Sequence, residues 1–131
     1  MGMKVNGTSG LTFPDTTTLA SAGQASVQAW VNFNGTGTVA IRAAYNVASI
    51  SDNGTGDYTV NFDTALADAN YAAAFSGTLE SGGSSGVTYF QGIKATSGVP
   101  TLKTTTQLRV FSTNYATNAV DASELNVAIF R

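Results

Sequence analysis

From residue 26 onward apolar and polar positions alternate with a period of two, the pattern of strands buried on one face. In residues 26–33, Val27, Ala29, Val31 and Phe33 share one face, while Gln28, Trp30 and Asn32 share the other. Residues 39–45 form the next candidate strand, with Val39 and Ile41 inward and Arg42 outward. Residues 47–51 continue it past a kink expected at Asn46. Tyr58, Val60 and Phe62 then mark a strand over residues 58–62. Residues 65–75 fit two patterns. Ala67, Tyr71, Ala74 and Phe75 would share a helical face, whereas Tyr71, Ala73 and Phe75 would share one side of a strand. Because residues 63–68 read as a turn, a strand from residue 70 is preferred. Further strands are expected over residues 87–93, 107–112 and 125–131, the last with Leu125, Val127 and Ile129 on one face. Seven or eight short strands at this spacing predict an all-β fold, an antiparallel β-sandwich.

Two near-copies of one turn punctuate the pattern. Asn34-Gly35-Thr36-Gly37 and Asn53-Gly54-Thr55-Gly56 begin 19 residues apart, at positions 34 and 53. Asn-Gly tolerates the positive φ angles of a tight hairpin turn, so each copy predicts a hairpin with Gly35 and Gly54 at positive φ. Residues 81–86, Ser-Gly-Gly-Ser-Ser-Gly, read as a loop. The chain divides near Gly23. Residues 1–24 are rich in Gly, Ser and Thr and have one apolar knot, Leu11, Phe13 and Pro14, which predicts an extended arm that orders against partner chains. Residues 25–131 are the sandwich.

Composition sharpens this picture. Hydrophobic residues make up 43% of the 131, but many are alanine. The core is therefore thin, which suits two layers or a trimer that shares its core. Charged residues are 11%, against about 25% in an average domain. A net charge of −2 with scattered Lys and Arg cannot neutralise a row of phosphates, so no nucleic-acid partner is expected. No apolar run approaches the ~20 residues of a membrane-spanning helix. The first ten residues also have no signal-like apolar stretch. A soluble chain with no membrane insertion is the expectation.

With neither histidine nor cysteine, the chain has no Ser-His or Cys-His nucleophile, thiol chemistry or thiolate metal site. The acids Asp15, Asp52, Asp57, Asp63, Asp68, Glu80, Asp121 and Glu124 fall mostly in turns, where Asp caps its own backbone. That reading outweighs a catalytic carboxylate pair, and no enzyme is expected. The segment Asp52-Asn53-Gly54-Thr55-Gly56-Asp57 fails as a calcium loop, since its third and fifth positions are glycines without side-chain oxygens. No cofactor or metal is expected. Three Asn-Gly-Thr triplets match the glycosylation acceptor pattern only because Asn-Gly turns precede Thr. Asn114 and Tyr115, in a loop between two strands, are the candidates for surface binding.

Two segments resemble bacteriophage fibre proteins. Gly10-Leu11-Thr12-Phe13-Pro14-Asp15-Thr16 is similar to the I/L-x-F-P-D-G-T segment that precedes many fibre terminal domains, with Thr16 in place of the glycine. The stretch from Ala29-Trp30-Val31-Asn32-Phe33-Asn34-Gly35-Thr36-Gly37 to Ile50, then Asp52 to Phe62 and Asp68-Ala69-Asn70-Tyr71, resembles a domain at the ends of phage tail-fibre and related virion proteins. This resemblance implies a homotrimer, attached to other virion proteins through the N-terminal arm (Leu11, Phe13, Pro14). The β domain would contact a host cell-surface glycan or protein. Assembly would take place in the host cytoplasm, with the protein exposed on the particle exterior. In such a fibre, Trp30 reads first as a chain–chain contact and last as a sugar platform. A capsid decoration, cement or head-fibre protein is the alternative, and a small polysaccharide-degrading enzyme the third reading.

Overall fold

The computed structural model describes residues 4–6, 10–12, 18–19, 26–78, 90–93, 102–114 and 118–131. Its regular elements are all strands: β1 (Lys4–Asn6), β2 (Gly10–Thr12), β3 (Thr18–Leu19), β4 (Val27–Asn34), β5 (Ala40–Tyr45), β6 (Val47–Asp52), β7 (Asp57–Phe62), β8 (Ala72–Gly77), β9 (Phe90–Ile93), β10 (Gln107–Thr113) and β11 (Leu125–Phe130). Strands β4 to β11 form two antiparallel four-stranded sheets, ordered β5-β4-β11-β8 and β6-β7-β10-β9. They pack as a β-sandwich, the architecture expected from the alternation. Ahead of them, among the described residues, the three short strands β1 to β3 pair antiparallel in a sheet of their own.

The core lies between the inner faces. It takes Ala29, Val31 and Phe33 from β4, Tyr58, Val60 and Phe62 from β7, Leu108 and Val110 from β10, and Leu125, Val127 and Ile129 from β11. Fully burying each large apolar side chain stabilises the fold by about 1.5–3 kcal/mol before entropy is counted. The 63–71 segment is an irregular connection, as its turn residues suggest. It folds Leu66 and Tyr71 over one end of the sandwich, where Tyr71 meets Phe62 edge to face at 6.0 Å. Tyr71, Ala73 and Phe75 all turn toward the core, so the strand reading of this stretch holds.

Asn46 is the corner between sheets. Strand β5 belongs to the first sheet and β6 to the second, and only Asn46 separates them. At φ 53° it is the one non-glycine among the described residues with positive φ. Asn tolerates this region better than most residues. Its side chain also fastens the bend: Nδ2 donates to Gln28 O (3.0 Å) and Thr64 O (3.1 Å), and Oδ1 accepts from Thr64 N (2.7 Å).

Three expectations are corrected, the first being that Val27 joins the core face of β4: it is 45% exposed. Ile41 is not part of the core: it is 38% exposed, because β5 is an edge strand whose six residues are all exposed. Gly35 is not at positive φ. That conformation falls to Gly37 (φ 63°) in the first turn, and to Gly54 (φ 121°) and Gly56 (φ 65°) in the second. What Gly35 supplies is room. A Cβ there would lie 2.6 Å from Tyr58 Oη, 2.8 Å from Leu125 Cδ1 and 3.0 Å from Ala122 O. Gly56 carries both burdens, because a Cβ there would also strike the backbone of Ser112 and Val120.

Both turns converge on one junction. The Tyr58 hydroxyl lies 2.6 Å from Asp121 Oδ1 and 3.0 Å from Gly35 O, and the same carboxylate oxygen accepts Gly56 N at 2.7 Å. Gly35 N donates to Ala122 O at 2.9 Å. Phe33 packs against the Tyr58 ring edge to face at 5.3 Å.

The glycines should therefore separate by mechanism. Gly35→Ala must displace buried groups and should cost about 2 kcal/mol or more, whereas Gly37→Ala meets nothing within 4 Å and should cost about 1 kcal/mol in backbone strain. Equal urea midpoints for the two variants would contradict this division.

The tyrosines give a pH dependence. Burial, and then the hydrogen bond to Asp121, pushes the Tyr58 phenol far above its ordinary value, and burial pushes Tyr71 from 10.0 up to about 12. A pKa raised in the folded state contributes stability that is intact below the unfolded value and is lost as pH rises through the folded one. The urea midpoint should thus hold steady up to about pH 10 and fall between about 10 and 12. A midpoint unchanged at about pH 11.5 would refute the assignment of two buried, neutral phenols.

Candidate binding surface

The outer faces of the two sheets differ in chemistry. On β6-β7-β10-β9, pleat and register turn Ser49, Ser51, Thr59, Asn61, Gln107 and Arg109 outward. Asn61 Nδ2 lies within reach of Ser49 Oγ (3.1 Å) and Ser51 Oγ (3.0 Å). Arg109 holds Asp57 in a bidentate pair through one guanidinium edge, Nε to Oδ1 at 2.7 Å and a terminal nitrogen to Oδ2 at 2.8 Å. That hydrogen-bonded contact raises the pKa of the Arg109 guanidinium further. These rows are polar and hydrogen-bonded, as expected of a solvated sheet, and the same register brings Phe111, opposite Asp57, to this face.

The outer face of β5-β4-β11-β8 is different. Register places Tyr45, Trp30, Ala128 and Ala74 in one row across the four strands. Tyr45 is 56% exposed and Trp30 38%. A neighbouring row holds Val27 (45% exposed), Phe130 and Ala72. Val27 reaches this face, and not the core, because a bulge between Ile129 and Phe130 shifts its register. On the other side of the Trp30 row lies a polar row of Asn32, Asn126 and Ser76. There Asn32 Nδ2 donates to Asn126 Oδ1 at 2.6 Å, and Asn126 Nδ2 donates to Glu124 Oε1 at 3.2 Å.

Depressions flank the aromatic pair. A groove of about 320 Å³ runs beside Trp30 over Ala74, Ala128, Ser76 and Asn126. Beyond Tyr45, a cleft of about 710 Å³ is walled by Val27, Gln28, Asn46, Asp63 and Thr64. Together they form an open strip of aromatic, small apolar and hydrogen-bonding groups.

The residues singled out from sequence fall elsewhere. Leu11 lies in β2, paired with Val5 and Leu19. Phe13, Pro14 and Tyr115 lie outside the described residues. Asn114 closes its own loop: its N donates to Asn118 O at 2.9 Å, and its Oδ1 accepts Asn118 N at 3.0 Å. Of the acids, Asp52 and Asp68 cap their own turns, through Gly54 N (2.9 Å) and Asn70 N (2.8 Å). Asp57 and Asp121 instead hold groups far away in the chain. The segment tested as a calcium loop is the β6–β7 hairpin, closed by Asn53 N to Asp57 O at 2.9 Å. Among the described residues, no cluster of three acids gathers to hold a metal ion.

Sequence reasoning saw Trp30 turn outward but missed its pairing with Tyr45 and the Asn32–Asn126–Glu124 chain. The signal for the latter was present: Asn32 and Asn126 both occupy outward positions of strands with apolar inner faces. No protein-family model, curated protein or solved structure matches the chain.

Proposed function

We propose that the chain is a bacteriophage virion structural protein, a short trimeric fibre whose β-sandwich faces outward and touches the host surface. The observation that carries this reading is the resemblance of residues 29–50, 52–62 and 68–71 to the terminal domain of phage fibre proteins. These pieces fall on β4 to β7 and on the segment that leads into β8. Support also comes from the outer surface, where Thr, Ser and Asn outnumber charges, and from the exposed aromatics of the first sheet. The arm with Leu11, Phe13 and Pro14 would meet its copies near a threefold axis and attach to other virion proteins. Weak contacts at each copy would be strengthened by trimer and virion multivalency, which multiplies affinity by ~10²–10⁴.

The test combines assembly and location. The full chain should run as a trimer in light scattering at micromolar concentration. Antibody should label fibres on intact virions, and purified protein should coat susceptible cells and slow adsorption without releasing sugar. A monomer contradicts the trimer. Label confined to the capsid shell, without cell binding, moves the assignment to a decoration or cement protein. Reducing sugar released at a rate abolished by changing one Asp or Glu moves it to an enzyme.

A further inference from the structure

We infer that the outer face of the β5-β4-β11-β8 sheet is a carbohydrate-binding strip for a neutral oligosaccharide, with Trp30 and Tyr45 as its stacking platform. The inference rests on the host-contact reading for its biological setting only, since binding is a property of the isolated chain.

A pyranose has two apolar C–H faces and a rim of hydroxyls, and the strip has the matching arrangement. Trp30 and Tyr45 stand directly opposite each other in the β4–β5 ladder, and both are exposed. An aromatic ring offers a flat apolar surface at little cost in conformational entropy. Next to Trp30 the row continues with Ala128 and Ala74. These short side chains form the floor of the 320 Å³ groove and let a ring approach the sheet. With strands about 4.8 Å apart, the row from Tyr45 to Ala74 spans roughly 14 Å, the length of a short oligosaccharide and not of a single sugar.

Hydroxyl partners stand in the adjacent row. Among the described residues, the Asn32–Asn126–Glu124 chain leaves Asn32 Oδ1 and Glu124 Oε2 without a hydrogen-bond partner. The chain also fixes the orientation of both amides. Acceptors held in place beside a stacking platform are what hydroxyl donors need.

Charge and area decide between ligand classes. No charged side chain stands in the Trp30 row: Arg109 and Asp57 lie on the opposite outer face, and Arg131 is paired with Asp68 at 2.6 Å. The carboxylates nearest it, Glu124 and, in the cleft beyond Tyr45, Asp63, would repel an acidic sugar, and the nearest cation, Arg42 of β5, donates to Ser123 O. A second copy of the chain fits poorly. Two apolar rows across four strands amount to roughly 200–300 Å², below the roughly 450 Å² of apolar surface within the ~800 Å² that each partner of a stable protein interface buries. A flat apolar partner would also bury the Asn32 and Glu124 oxygens unpaired, at about 1–3 kcal/mol each. Sugar hydroxyls would satisfy them instead.

Trp30 is the only tryptophan, so its fluorescence reports on this face alone. The full chain should be titrated with a panel of neutral tri- and tetrasaccharides of glucose, galactose and N-acetylglucosamine, with trigalacturonate as the charged control. We expect saturable quenching or a blue shift, with a Kd of about 1 mM or tighter for at least one neutral member, and no response to the control. Ala74→Gln, at an exposed floor position, keeps the fluorophore and should weaken binding about tenfold at unchanged melting temperature. Tyr45→Ala and Asn32→Ala, read by calorimetry, should each weaken it several-fold. Absence of response across the panel overturns the inference, as does equal response to the acidic control. Binding unchanged in Ala74→Gln overturns it too. A blue shift that grows with protein concentration and ignores sugar would assign the face to a second copy. None of these results bears on where the protein sits in a virion, which antibody labelling decides separately.

Discussion

One buried hydroxyl ties the sandwich together. Tyr58 comes from the second sheet, yet its oxygen lies against Gly35 in the first sheet's turn and against Asp121 in the segment entering β11. Asp121 in turn accepts the Gly56 amide from the second sheet's turn. Both glycine turns are thus fastened to one short segment at one end of the core. An O–H to a carboxylate is among the stronger hydrogen bonds, and in a low-dielectric surround its loss leaves polar groups stranded. The space that the phenol occupies is why Gly35 must be glycine.

The opposite end is closed by different means. Asn46 turns the chain from one sheet to the other and bonds to Gln28 and Thr64, while Tyr71 plugs the end of the core. The Tyr71 hydroxyl donates to Thr104 O at 3.1 Å, and the Lys103 ammonium sits 4.5 Å from its ring centre. With both ends held, the two outer faces are free to diverge. One is mainly a hydrogen-bonded polar lattice with Phe111 beside it, and the other has exposed aromatics over an alanine floor.

Much of this fold was legible in the sequence because its signals are local. A period of two located β4, β7, β10 and β11 and, Val27 apart, the buried faces of β4, β7 and β11, and Asn46 announced its own corner. The roles of the two tetrapeptides were not legible. Their residues are identical, but Gly35 faces Tyr58 and Gly54 faces solvent, and what a glycine avoids is set by distant chain. Asp121 is 63 positions from Tyr58, so no local pattern joins them. The platform was hidden by a single residue. Ile41 pairs with Phe33, and unbroken counting from there would set Trp30 against Ala44; the bulge at Arg42 shifts the partner to Tyr45.

The junction is tested most directly by a double-mutant cycle of Tyr58→Phe and Asp121→Asn in urea unfolding. Each single change should destabilise the domain, and the pair should cost less than the sum, with a coupling of about 1–3 kcal/mol. Additivity within about 0.3 kcal/mol would contradict the account, because the two side chains would then stabilise the sandwich independently.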